Sequence, residues 1–245
     1  IWHCMAEAVA NCIDALAAIR QLVYEQRSVS MDMLLEALDH NWQGYENLRQ
    51  QILTRVPKYA NDHAAADEIG RELLGWFIER TRFHAGRYPG ILFPCAVGTF
   101  SWYTSIGREV GASFDGRFDG DPITPNFSPA FGVDLNGPTA AIKSYCGMPG
   151  ADLAGGAPLD LRFSASHLQG DAGTDRLAAL IRVFIALGGN MLTVTVTDVE
   201  ELKRAMREPM NYRGLRVRMG GWTAYFVTLN EEQQRLHIAK VEHGL

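Results

Sequence analysis

The chemistry that this 245-residue chain has to offer is concentrated in a glycine pair near its C-terminus, four cysteines and one loop dense in charge. Gly220 and Gly221 stand in Arg218-Met219-Gly220-Gly221-Trp222-Thr223-Ala224-Tyr225-Phe226. On spacing alone, such a pair between apolar runs is a tight turn joining two strands. Cys4, Cys12, Cys95 and Cys146 could supply thiols, but their spacing excludes close-paired zinc motifs such as Cys-x-x-Cys. The seven histidines form no His-x-x-x-His or Cys/His cluster, which argues against a metal site. Gly111 to Gly120 contains glycines but no lysine, so it is not a phosphate loop, and Ser128-Pro129 lacks the glycines of a nucleophile elbow. Asp115, Arg117, Asp119 and Asp121 fit a solvated turn, with carboxylates capping amides and Arg117 tying the loop down, better than a ligand site.

The nonapeptide resembles the radical loop of the glycyl radical enzymes. There an arginine, an apolar residue, a small residue, the radical glycine and an aromatic residue precede three variable residues and a phenylalanine. The resemblance implies that Gly221 is catalytic and stores an organic radical, with Arg218, Gly220, Trp222 and Phe226 supporting the loop. Glycine suits that task. Loss of an α-hydrogen leaves a carbon that must flatten between an electron-donating amide nitrogen and an electron-withdrawing carbonyl, and a side chain would hinder the flattening and narrow the backbone angles. Other segments resemble the family in the same order. Asp14-Ala15-Leu16-Ala17-Ala18-Ile19 has Ala15 where serine is usual. Gly111-Ala112-Ser113-Phe114-Asp115-Gly116-Arg117, with Gly120-Asp121-Pro122 and Ser128-Pro129 behind it, follows. Asn136-Gly137-Pro138-Thr139-Ala140-Ala141-Ile142-Lys143-Ser144 comes next, and downstream of the glycine a strand at Phe226 to Asn230 leads into a helix that Asn230 and Gln233 can cap.

The resemblance also implies a sequence of radical carriers. A separate activating enzyme, using S-adenosylmethionine and an iron–sulfur cluster, installs the glycyl radical, so this chain itself binds no cofactor. The glycyl radical takes hydrogen from a cysteine thiol, and the thiyl radical attacks a small-molecule substrate. In the family that cysteine stands in Gly-Cys-x-Glu, and none of the four here does. The expected partner is therefore an upstream catalytic-cysteine chain or segment. The implied activity is that of a split subunit or fragment of an anaerobic lyase, of dehydratase or decarboxylase type. Trp222, where tyrosine is common, and an aromatic strand lean toward arylacetate decarboxylation. The alternative is a non-catalytic interaction module, either a subunit replacing an oxygen-cleaved C-terminus or an inactive fragment.

These residues need a scaffold, and 47% apolar content with 21% charge can bury one large core or two small ones. A net charge of −5 offers no basic face for nucleic acid or anionic lipid. With no apolar run long enough to cross a bilayer and no leader, the expectation is a cytoplasmic protein. Periodicity predicts helices at 6–26, 31–40, 44–54 and 64–84, a strand at 91–103, loop to 137, a helix at 138–146, strands at 158–164 and 191–197, and helices at 173–187 and 199–207. The fold class is α/β, and the resemblance makes it the C-terminal part of the family's β/α barrel, helix-rich at its start, with the Gly loop near the C-terminus. The expected organisation is a single unit over 1–245, with a glycine radical domain at 215–245. Cys4 and Cys12, eight apart and so on one face of a helix, are expected in the core. The abrupt helical start after Ile1 suggests a missing preceding neighbour. In the family the strand at 91–103 carries substrate-touching residues, and a two-residue period would put Gly98, Phe100 and Trp102 on one face as pocket candidates.

Overall fold

The structure, a computed structural model, describes residues 1–99, 102–219 and 222–243. Its first third is helical, as the apolar spacing requires. Helix α1 (Val9–Ala18) buries Val9, Ala10, Ile13, Ala17 and Ala18, and continues into a π-helical stretch, Ile19–Glu25, that buries Leu22. Helix α2 (Met31–Asp39) starts where Ser30 accepts a hydrogen bond from the Met33 amide at 3.1 Å. Helices α3 (Glu46–Arg55) and α4 (Ala64–Ala85) follow, and α1 packs along α4. Among these helices Trp42, Tyr59, Ile52 and Leu74 are fully buried.

The chain does not enter α1 directly. Cys4–Ala6 forms strand β1, parallel to β2 (Cys95–Val97), with Cys4 in register with Cys95. Ala8, at φ +55°, breaks the path between strand and helix. This corrects the core assignment of two cysteines: Cys4 is a half-buried strand residue and Cys12 is exposed on α1. The strand expected at 91–103 is likewise only β2. Beyond Val97 the Gly98 amide still reaches the Ala6 carbonyl at 3.1 Å, but the Trp102 amide then turns back to the Thr99 carbonyl at 2.9 Å and opens helix α5 (Tyr103–Gly107).

Helix α6 (Gly137–Cys146) leads to a parallel pair, β3 (Pro158–Ser164) and β4 (Met191–Thr197), joined through α7 (Gly170–Ala186). Alternation sorts their side chains. Leu159, Leu161 and Phe163 share one face with Leu192, Val194 and Val196; Asp160, Arg162 and Ser164 share the other with Thr193, Thr195 and Thr197. Helix α8 (Val199–Arg207), strands β5 (Arg216–Met219) and β6 (Trp222–Tyr225), and helix α9 (Glu231–His243) complete the chain. These last elements enclose a second, smaller core of Leu202, Ala205, Val217, Ala224, Phe226 and Ile238. Among the described residues no helix is long and apolar enough to cross a membrane.

The charged loop is tied to the helical body and is not solvated where it matters. Arg117, buried, donates to the carbonyls of Val110, Gly111 and Asp121, as its expected tying role requires. Asp115, also buried, accepts from Asn11 Nδ2 at 2.6 Å, and Lys58 Nζ donates to the Asp115 carbonyl at 3.2 Å. Next to them Asp14, 1% exposed, accepts from the Tyr59 amide at 2.7 Å through Oδ1, while Oδ2 has no partner. Burial pushes the Asp14 carboxyl up to about 7 against the opposing pull of Lys58 and the Tyr59 amide, with Asp115 adding to the rise. Burial pulls the Lys58 ammonium down in turn. The folded carboxyl thus keeps its proton to about pH 7, whereas an unfolded one loses it near 3.8, so the native state holds more protons in between. Stability from this site is present at low pH and is lost as pH rises through 7. Relative to Asp14→Asn, which keeps the acceptor for Tyr59, the native chain is expected to gain about 2 kcal/mol between pH 7 and pH 5 in urea unfolding. Parallel pH curves for the two proteins would contradict it.

Candidate functional site

The Gly pair links two antiparallel strands. Arg216 pairs with Tyr225, Val217 with Ala224, Arg218 with Thr223 and Met219 with Trp222. Gly220 and Gly221, which join them, lie outside the described residues. Two-residue links between antiparallel strands favour glycine because the turns that match strand twist need positive φ.

The hairpin's two faces have separate tasks. Val217 and Ala224, paired and buried, face the small core. Arg218 and Thr223 pair on the opposite face, where Arg218 Nη1 donates to Thr223 Oγ1 at 3.1 Å. Arg216 lies over the Tyr225 ring, its guanidinium carbon 5.4 Å from the centroid. Phe226, 0% exposed, is the clasp: its amide donates to the Leu215 carbonyl at 2.8 Å, and its carbonyl accepts from Gln234 Nε2 of α9 at 2.9 Å. The strand expected at Phe226–Asn230 is corrected. Strand β6 ends at Tyr225 and Phe226–Thr228 is a 3-10 turn, because the Leu229 amide folds back to the Phe226 carbonyl. The Asn230 cap is present, with Oδ1 accepting from the Gln233 amide at 2.8 Å.

The hairpin unit rests on the parallel pair: β5 packs against β4, α9 packs against β3, and Arg108, just past α5, pairs with Glu232 of α9. Asp160 is the focus of the pair's polar face. Its carboxylate accepts from Asn126 Nδ2 at 2.7 Å, from Ser128 Oγ at 3.3 Å and from Thr193 Oγ1, and its amide donates to Ser128 Oγ at 3.0 Å. Tyr103 is buried close by, and burial raises its hydroxyl above the usual tyrosine range. The threonines of β4 carry the signal that leads to this network, since their alternation is in phase with Asp160 and Arg162 on β3.

Of the three pocket candidates, Gly98 and Trp102 do not share a strand face. Gly98 follows β2, and a Cβ there would sit 3.4 Å from Asn126 Oδ1; Trp102 is the residue before α5 and is 68% exposed; Phe100 lies outside the described residues. The side chain of Trp222 is also outside the description, though its backbone pairs with Met219. Among the described residues no group of three or more His, Cys, Asp or Glu could hold a metal ion.

A family model described as pyruvate formate lyase-like matches residues 3–107, and one described as glycine radical matches residues 123–227. Isethionate sulfite-lyase of Bilophila wadsworthia is 36% identical over 96% of this chain and 28% of its own length. Trans-4-hydroxy-L-proline dehydratase of Clostridioides difficile is 33% identical over 96% of this chain and 29% of its own. The glycerol-bound structure of the B12-independent glycerol dehydratase from Clostridium butyricum superposes with a TM-score of 0.91 at 28% identity, over 98% of this chain and 30% of that one. The chain thus spans about three tenths of the length of the relatives it matches. Both halves of its sequence match models of one family and its whole fold follows that family's barrel, so the chain belongs to the glycyl radical enzymes, as the counterpart of a C-terminal part of their length.

Proposed function

We propose that this chain is the radical-bearing part of a glycyl radical lyase. The observation that carries the reading is the hairpin: Gly221 stands in a segment matched as glycine radical, at the two-residue link of strands clasped by Phe226. A separate activating enzyme, using S-adenosylmethionine and an iron–sulfur cluster, removes one α-hydrogen of Gly221. The resulting carbon radical takes the hydrogen atom of a cysteine thiol on an upstream chain or segment, restoring glycine and leaving a thiyl radical. That radical abstracts a substrate hydrogen and starts an elimination or decarboxylation of a small molecule in an anaerobic cytoplasm. Arg218, Gly220, Trp222 and Phe226 support the loop. Gly98, Phe100 and Trp102 remain candidates for the substrate wall. The unit 1–245 holds a glycine radical domain at 215–245, whose small core also draws on Leu202 and Ala205 of α8.

The test is anaerobic electron paramagnetic resonance with the activating enzyme and the upstream cysteine segment supplied. The expected spectrum is a doublet, split by the one remaining α-hydrogen, that collapses when the protein is labelled with α-deuterated glycine. No doublet under these conditions would leave the interaction module as the reading.

A further inference from the structure

Two of the four thiols stand side by side. Strands β1 and β2 run parallel with Cys4 in register with Cys95, so both side chains leave the same face of the pair, in alternate phase to Met5 and Ala96. Neighbouring strands lie about 4.7–4.9 Å apart. Disulfides usually span Cα separations of about 4.4–6.8 Å, so the two sulfurs can be bridged within the strand spacing. The Thr81 hydroxyl of α4 marks the same spot: it donates to Cys4 Sγ at 3.5 Å and reaches the Cys95 thiol as well. Access to the two sulfurs is unequal. Cys95 is 4% exposed, whereas Cys4 is half-buried and lines a cavity of about 550 Å³. Trp76, Tyr88 and Phe93 make that lining aromatic, and Arg80 adds a positive charge. A cysteine kept only for packing is ordinarily sealed, as Cys95 is; Cys4 is open to the cavity.

We propose that Cys4 and Cys95 form a thiol–disulfide exchange site, at which a small organic disulfide entering the cavity oxidises the pair to a reversible cross-strand disulfide. Cys4, the thiol that the cavity reaches, gives up its proton, and its sulfur attacks one sulfur of the incoming disulfide. That S–S bond breaks, and the first small thiolate leaves and takes up a proton. Cys95 then loses its proton and attacks Cys4 Sγ, which breaks the mixed disulfide and releases the second small thiol. Two protein thiols are thereby oxidised by two electrons, and one small disulfide is reduced to two thiols. Burial holds the Cys95 thiol above the usual range, against the pull of the Thr81 hydroxyl, which leaves the first attack to Cys4. The second attack joins groups that are already adjacent, so it outruns capture of Cys95 by another molecule of the reagent. The bond would staple β1, and with it the entry into α1 past Ala8, to β2, closing a loop through the helical body. The site stands independently of whether Gly221 carries a radical.

The probe is dithiobis(nitrobenzoate), a disulfide whose aromatic rings and carboxylates suit the aromatic walls and Arg80. It is added to the full folded chain carrying Cys12→Ser and Cys146→Ser, so that only the pair can react. The expected result is release of two thionitrobenzoate anions per chain with no adduct retained, and a cross-linked peptide joining Cys4 to Cys95 in the mass spectrum that dithiothreitol removes. With Cys95→Ser added, one anion should be released and the other half of the reagent retained on Cys4. With Cys4→Ser added in its place, reaction should slow roughly tenfold or more, because the remaining thiol is buried. The natural chain, which no substitution disturbs, should give the same cross-linked peptide together with a separate adduct on exposed Cys12. A pair that stays unreacted in the natural chain while Cys12 is modified overturns the site, as does a stable adduct on Cys4 in place of the cross-link. Undiminished reaction in Cys4→Ser overturns the order of attack and the cavity as its entrance.

Discussion

Replacing Gly221 by alanine is expected to abolish the radical doublet altogether and with it all turnover of the assembled enzyme, a loss below the detection limit and not a fractional one. Alanine still has an α-hydrogen, so the loss does not come from removing the reacting atom. It comes from the methyl group, which crowds the planar radical and restricts a backbone position within a two-residue strand link. The same variant should resist the cut that oxygen makes at an activated glycine, so the C-terminal peptide released from the parent chain on exposure to air is missing from the variant. Circular dichroism should remain that of the parent, because the hairpin's pairs from Arg216–Tyr225 to Met219–Trp222 and the Phe226 clasp are made by other residues. A doublet that survives in Gly221→Ala would move the radical elsewhere and end the assignment.

The second large effect is expected at Phe226→Ala. Phe226 is the largest side chain in the small core and is fully buried there, so truncation should cost about 3–5 kcal/mol. That loss falls on a core too small to absorb it. The expected outcome is local: amide hydrogen exchange accelerates from α8 to α9, while α1, α4 and the helical core keep their protection. Radical yield should fall in parallel, because a hairpin without its clasp no longer presents a fixed glycine. Phe226→Leu, which retains most of the volume, should recover most of the stability. If exchange quickened equally throughout the chain, the two cores would be one cooperative unit, contrary to their separation in the structure.

Much of this molecule was legible in the sequence, for reasons that differ from element to element. Ser30 and Asn230 announced helix starts because a short polar side chain has few better uses than to cap an amide. β3 and β4 were readable from alternation, and the membership in the glycyl radical family from a run of residue types around the glycine pair. What failed were places where one residue decides and no pattern accompanies it. Nothing in the composition of the first segment marks Ala8 as left-handed, so the strand at Cys4–Ala6 was absorbed into a helix and Cys4 was misplaced with it. The run from Ile91 to Tyr103 is apolar and aromatic enough for a long strand, yet β2 ends at Val97 and the Trp102 amide bonds back to the Thr99 carbonyl just before α5. The buried setting of Asp115 and Arg117 was hidden for a similar reason: Asn11, Trp42, Arg49 and Lys58, which enclose that loop, are distant in sequence and carry no mark of their destination. Asp160 needed partners from two other segments before its role as an organising carboxylate could be seen.

Every buried member of the small core lies between Leu202 and Ile238. Contacts that close over short stretches of chain form quickly, because little loop entropy must be lost before they repay it. The helical body, by contrast, must bring Asn11 to Asp115 and Cys4 to Cys95 across long separations. The two parts are therefore expected to run on different folding clocks, the local core around the glycine hairpin forming ahead of the helical body.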